Sequence, residues 1–571
     1  MTERELTLFS AMTDIGDDLV LESTAFLPAL SGAVGSAVGG TAARAASAGK
    51  RAAWVLPVTL ASCAALVAAV GILVGVVGDA FGFFPSKPPE VTTDAPVDGS
   101  DDISTDESPD GVTEKPTDAP TEKPAEGDTD PEEPLPDYSV ERNDYGLPFT
   151  ILYCSDSFDK GYYFENTVTS PTYDLGEAAY QRIKQTEHYL GVDITAKDGG
   201  GQGIYYGEFF TSANAGQDEY QLILTHSGKG LVSLMTSPYL TDLQKQERLN
   251  LNAWYWESAQ NERLQIGGKQ LIAYSEFLLP EGYVLGFNRE LVKERFTDTE
   301  LYRLAEDRGW TLEKMETYVT AYQQDNGDGK WDEKDSYGLS CSAWTPLVGF
   351  VTAADIRVVD ESGGQFSLMA LKDKARATAV DSFVYRLMGM GSTYSYAKDE
   401  NKPLHLQTGR VMFELTSMGD LIRNGEPDTD VGILPYPLYD RDQEDYRTLY
   451  TGGYMAIPNT VKRGDMAGDV VETLVYQSQP ALGAFLNAVW TCGGCSSDQD
   501  HIMLNLIEAS MMVEQGMTLV DVHQRMEAIV YAIPRHVMGE SAYDANVSFL
   551  WSSVSKKLDD LARTIQKLPE N

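Results

Sequence analysis

Cysteine is scarce in this chain, five among 571 residues, and histidine nearly as scarce at six. So few cysteines exclude a disulfide scaffold of the kind small secreted domains use. Positive charge is also short. Lys and Arg total 44 against 86 Asp and Glu, a formal net charge of -42. Clustered basic residues are what bind phosphate, so nucleic acid is excluded as a partner and anionic lipid is disfavoured. Catalytic signatures are missing too: the chain holds no G-x-S-x-G elbow, H-E-x-x-H helix or P-loop. Carboxylates are plentiful, as in any acidic chain, so counting them does not identify a glycosidase pair. The expectation is a protein that is not an enzyme and needs no cofactor.

The cysteines themselves say little. Cys63 lies in an apolar run, Cys154 and Cys341 stand alone, and Cys492 and Cys495 form C-G-G-C. A single C-x-x-C outside the cytoplasm is a small disulfide loop, a redox pair or an accident of spacing. No second pair and no histidine set complete a zinc site.

What the chain does have is one uncharged apolar run, Trp54 to Val77, with Arg44, Lys50 and Arg51 before it and Asp79 after it. About 20 apolar residues span a bilayer as a helix. A cleaved signal peptide starts nearer the N-terminus and has an apolar core of about 7–15 residues. The run is therefore read as an uncleaved signal anchor, a transmembrane helix over 53–78. Gly71 and Gly75 form a G-x-x-x-G, either a helix-packing motif or ordinary small-residue content. The basic flank keeps residues 1–52 in the cytoplasm and sends the rest outside. That tail opens with an amphipathic pattern through Leu6, Phe9, Met12 and Ile15, then becomes Gly, Ala and Ser. The stretch 79–140 is acidic and rich in Pro and Thr, too poor in apolar residues for a core, and is expected to be an extended linker. The predicted localisation is the cell membrane, single-pass, with residues 141–571 extracellular.

The globular part shows strand and helix patterns in turn. Phe149–Tyr153, Val192–Thr195 and Tyr220–Thr225 read as buried strands, and Tyr173–Tyr189 as a helix. Such alternation predicts α/β units around a parallel sheet. Ligands of open α/β sheets bind beyond the carboxyl ends of the strands. There stand Ser155, Asp156 and Phe158 after the first strand and His226 after the third.

Several stretches then resemble, in order, the extracellular solute-binding proteins of family 1, the sugar-binding components of bacterial ABC importers. They are A-A-Y-Q-R with L-G-V-D-I-T within Tyr173–Thr195, Trp254-Tyr255 before L-Q-I-G-G-K, and Y-V-L-G-F-N at Tyr283–Asn288. G-W-T-L-E-K-M at Gly309–Met315 follows, with Thr311 as helix cap, and then Y-G-L ending at Leu339. G-R-V-M-F at Gly409, V-G-I-L-P-Y-P at Val431 and T-G-G-Y-M-A-I-P at Thr451 complete the series. The family is usually held by a lipidated cysteine after a cleaved signal, and here a tail and membrane helix are predicted in that place. The resemblance implies an α/β, periplasmic-binding-protein-like fold of two lobes with a hinge. It also implies capture of a sugar or oligosaccharide for ABC-type import, with permease subunits as partners. A ligand-sensing regulator signalling through the membrane helix and tail is the alternative.

Such a cleft needs aromatic faces for sugar rings and polar groups for hydroxyls. The stacking candidates are Trp254, Trp256, Trp344, Tyr454 and Trp490, and the polar candidates Asp156, Asn252, Glu257 and Glu276. An aromatic residue in a large domain also serves readily as core. The segment Q-D-N-G-D-G-K-W-D-E-K-D places Gln324, Asn326, Asp328, Lys330, Asp332 and Asp335 at the ligand positions of a calcium loop, with Gly329 at its turn. Gln opens the loop where Asp is usual, and Asp closes it where Glu is usual. Two readings stand: a weak structural calcium site, or a solvated acidic turn.

Overall fold

The computed structural model describes residues 138–569, apart from 156, 165–172, 202–204, 229, 363–364, 369–371, 397–402, 426–428, 493–494 and 496. The predicted cytoplasmic tail, membrane helix and most of the linker lie outside the described residues. Among those described, no helix is long and apolar enough to cross a membrane. They belong to one compact unit, Glu126–Asn571.

Two sheets organise that unit. Strand β1 (Leu147–Tyr153) buries Phe149, Ile151, Leu152 and Tyr153. It runs parallel to β2 (Val192–Asp198) on one side and to β3 (Leu222–His226) on the other. Helix α1 (Tyr173–Leu190) links β1 to β2. Its buried residues Leu175, Ala179, Ile183 and Leu190 recur at helical spacing and form one inward stripe. Parallel neighbours need such a crossover, and every residue of β3 is buried.

The chain then builds a second sheet from β4 (Tyr283–Asn288), β5 (Ser336–Cys341), β6 (Val411–Ser417) and β7 (Val431–Leu434). Its order is β7-β4-β6-β5, extended by Gln323–Gln324, with Thr393–Ser395 also paired to β5. Of the four strands β4 alone opposes its neighbours, antiparallel to both β6 and β7, and the short Gln323–Gln324 segment is antiparallel to β5. Helix α2 (Leu312–Thr320) precedes β5 and is capped by Thr311, whose hydroxyl accepts from the Lys314 N–H at 3.4 Å. Gly338 of β5 sits so close to this helix that a Cβ there would lie 2.0 Å from the Val319 carbonyl oxygen.

After a short helix α3 (Met418–Asn424) and β7, the chain returns to the first sheet. Strand β8 (Gly453–Ala456) pairs antiparallel with β3, completing the order β8-β3-β1-β2. The outgoing and returning segments are paired with each other: Gly282 and Tyr450 form an antiparallel bridge, and the Thr451 N–H donates to the Glu281 carbonyl at 2.9 Å. The result is two lobes joined by paired crossings.

Helices α4 (Gly464–Tyr476) and α5 (Gln479–Cys492) fasten this frame. Tyr138 stacks on Tyr476 of α4 at 4.1 Å and 15°, and shares a 2.8 Å hydrogen bond with Thr473, which pins the entry of the chain to the first lobe. Helix α5 packs on α1 of the first lobe and α3 of the second.

Candidate functional site

The carboxyl ends of β1, β3, β5 and β6 converge on a cavity of about 390 Å³ between the lobes. The first lobe contributes Ser157, Asp159 and Tyr162 after β1, and Ser227 after β3. The second contributes Thr345 after β5, and Ser417, Gly419, Asp420 and Arg423 at the end of β6 and in α3. Leu279, Glu281, Tyr283, Thr451 and Gly452 of the crossings form the floor, with Phe485, Met517 and Tyr531 beside them. Because β4 runs against β6, its first residue Tyr283 lies opposite Ser417, the last residue of β6. The reversed strand thus delivers its amino end to the place where parallel neighbours deliver their carboxyl ends.

Local hydrogen bonding holds these groups. Ser417 caps α3: its hydroxyl accepts from the Asp420 N–H at 3.0 Å and donates to Glu281 Oε1 at 3.0 Å. The Gly419 N–H donates to both Glu281 oxygens, at 3.1 and 2.9 Å. A Cβ on residue 419 would meet Glu281 Oε1 at 2.5 Å, so only glycine fits beside that carboxylate. Burial pushes the Glu281 carboxyl above its ordinary range, against the pull of Arg423, Ser417 and Gly419. Across the cavity, Asp159 caps a short helix and accepts from the Gly161 N–H at 2.8 Å. Arg423 is held by Asp420 at 2.8 Å. Burial raises the phenols of Tyr283 and Tyr531, which share the cavity wall with Thr345. They stay neutral hydrogen-bonding groups at physiological pH.

The residues singled out in the sequence fare unevenly. Asp156 lies outside the described residues. Trp344 is half-buried and stacks on the cavity residue Tyr531 at 4.8 Å and 13°, so it backs the wall. Trp256 is fully buried, and its indole N–H donates to Glu472 at 2.8 Å. The same carboxylate accepts the Tyr255 hydroxyl, and these aromatics close the core against α4 rather than line the cleft. Tyr454 is buried in β8 with its hydroxyl 2.8 Å from that of Thr518, so it too is core. Trp490 donates to the Ser497 carbonyl at 3.1 Å and meets His501 edge-on, outside the cavity.

Trp254 is 42% exposed and packs edge-on against Tyr255, and Asn252 lines a separate polar depression with Gln244 and Gln270. Glu276 is buried, accepts from Gln479, and is pushed up to about 7 by burial. Glu257 is raised by burial beside Glu508. Neither lines the cavity. Of the other strand-end residues, Phe158 and His226 are buried and Ser155 is exposed. Cys495, the second cysteine of C-G-G-C, is buried.

Sequence reading missed Asp159, Glu281, Tyr283, Asp420, Arg423 and Tyr531. Some signal was present: Tyr283 opens Y-V-L-G-F-N, and Ser417, Asp420 and Arg423 follow G-R-V-M-F within ten residues. None of the described strand-end candidates lines the cavity, although their neighbours Ser157, Asp159 and Ser227 do.

In the 324–335 loop, Asp335 is buried and spends Oδ1 on the Asn326 N–H at 2.8 Å and Oδ2 on the Asp332 N–H at 2.7 Å. Asn326 and Asp328 accept from the N–H groups two residues on, as in Asx-turns. Among the described residues no group of three or more His, Cys, Asp and Glu is placed to hold a metal ion.

Comparison with solved structures gives the architecture. A sugar transporter from Rhizobium etli, solved in an open conformation, aligns with a TM-score of 0.50 over 73% of this chain and 99% of its own, at 14% identity. The fold is that of the two-lobe periplasmic binding proteins. Also similar are the sugar-binding protein MalE from Xanthomonas citri (TM-score 0.48, 13% identity, 72% of this chain and 98% of that one) and a Listeria monocytogenes ABC substrate-binding protein solved with cycloalternan (TM-score 0.47, 11% identity, 72% and 98%). No protein-family model matches the chain, and a search of curated proteins finds no match either.

Proposed function

We propose that the two-lobe unit captures a sugar or oligosaccharide between its lobes and carries out no covalent chemistry. The observation that carries this reading is the cavity at the strand ends, where Tyr162, Tyr283, Phe485 and Tyr531 share one space with Asp159, Asp420 and Arg423. Aromatic side chains suit the C–H faces of a sugar ring, and carboxylates and guanidinium suit its hydroxyls. The volume is that of a small-molecule pocket. The similar Rhizobium etli protein is named a sugar transporter, which supports the same class of ligand. Capture works by closure of the lobes about the paired crossings at Glu281–Tyr283 and Tyr450–Gly453. A thermal-shift screen of mono- and oligosaccharides on the full chain tests it, since a ligand of the folded state raises its apparent stability. No shift with any saccharide at millimolar concentration rejects the reading.

The same proposal places the unit outside the cell on the apolar run Trp54–Val77, delivering solute to ABC permease subunits. Protease added to intact cells then removes the C-terminal portion, and its survival there reverses the topology. No feature of the described residues favours the sensor alternative over capture.

A further inference from the structure

We propose that the cavity selects a positively charged saccharide, an amino sugar or an oligomer of one, over its neutral counterpart. This inference rests on the capture reading and narrows it. Among the described residues lining the cavity, the carboxylates are Asp159, Glu281 and Asp420, and the only cationic side chain is Arg423. Arg423 pairs with Asp420: Nη2 and Nε both reach Asp420 Oδ1, at 2.8 and 3.3 Å, and the Arg423 side chain is 56% exposed. That pair cancels. Asp159 and Glu281 remain, one on the first lobe and one on the crossing segment.

Glu281 is the sharper case. Its oxygens receive one hydroxyl and one backbone N–H, both neutral donors, and no described cation makes an ion pair with it. A carboxylate drawn partly out of water in this way is costly unless a charge accompanies it. Loss of solvent raises its carboxyl, and this outweighs the pull of Arg423. A sugar hydroxyl can donate to this carboxylate but leaves its charge unbalanced. An ammonium group donates and balances the charge together, and charge-assisted bonds are about twice as strong as neutral ones. The aromatic residues of the cavity add to the preference, because ring faces pack on either sugar but attract a cation in addition. The net charge of the whole chain, -42, concentrates cations near its surface in the same sense.

Calorimetric titration of the full chain with matched sugars tests the proposal. Each set keeps one scaffold and changes only the substituent at C2: glucosamine, glucose and N-acetylglucosamine, and the corresponding chitosan, cellulose and chitin oligomers. The amine member is expected to bind roughly tenfold tighter or more than its neutral partners at neutral pH, with the gap shrinking as salt rises. Glu281→Gln, which keeps an oxygen for Gly419 and Ser417, should remove most of that gap. Asp159→Asn, at an exposed position, should narrow it and serves where the first variant fails to fold. Equal or tighter binding of the neutral members overturns the inference and leaves capture standing. An amine preference untouched by both variants overturns the assignment to these carboxylates. Binding of no saccharide at all rejects the capture reading and this inference with it.

Discussion

Single side chains in this molecule are governed by how their charge is housed. Glu514 is 2% exposed, and its Oε1 accepts from the Val359 and Gly516 N–H groups at 3.2 and 2.9 Å, while Oε2 has no hydrogen-bond partner among the described residues. Burial pushes its carboxyl up to about 7. A carboxyl with a raised folded-state pKa favours the folded protein in its protonated form. Its contribution is therefore full below the unfolded value near 4.5 and is lost as pH rises through about 7. Glu514→Gln mimics the protonated group. It should stabilise the protein at pH 8 by on the order of 1–2 kcal/mol and have little effect at pH 4.5. Urea melts of both proteins at the two pH values check this, and an equal difference at both would contradict it. Glu276, also raised to about 7, acts in the same direction.

Helices and strands were the most legible part of the sequence. Their apolar periodicity and caps are local properties: Tyr283–Asn288 is a strand with the bounds the sequence suggested, and Thr311 caps its helix. The helix read as Tyr173–Tyr189 runs one residue further, to Leu190. The third strand starts at Leu222 rather than Tyr220, because Gln221 turns its side-chain oxygen to the Thr150 N–H and holds β1 instead.

Site residues were less legible for a physical reason. Trp256 and Tyr454 look the same in sequence whether they face a cleft or a core, and only the partner decides, Glu472 in one case and Thr518 in the other. The reversal of β4, which brings Tyr283 to the cavity, is a property of sheet order that no local pattern carries. At this scale the 324–335 loop is proposed as a weak structural calcium site. Millimolar calcium should raise the melting temperature by a few degrees through mass action, and Asp328→Ala should abolish the rise. No change with calcium leaves the acidic turn as the account of that segment.

The molecule as a whole is two sheets joined by a bridged pair of crossings, with the cavity set where the crossings meet the strand ends. Family-like motifs spread along the chain made that architecture legible, since most mark a strand or helix of one lobe, although L-Q-I-G-G-K is a tight turn bridged between Ile266 and Lys269. They did not mark the cavity, which is assembled from segments up to several hundred residues apart. The most direct test of the capture account is calorimetric titration of a saccharide that shifts the melting curve, on the full chain and on two double variants. Tyr283→Ala with Tyr531→Ala alters the cavity wall, and Gln244→Ala with Asn252→Ala alters the separate depression. The account predicts that the cavity variant loses roughly tenfold or more in affinity while the depression variant binds as the parent does. Unchanged affinity in the cavity variant, or loss confined to the depression variant, would contradict it.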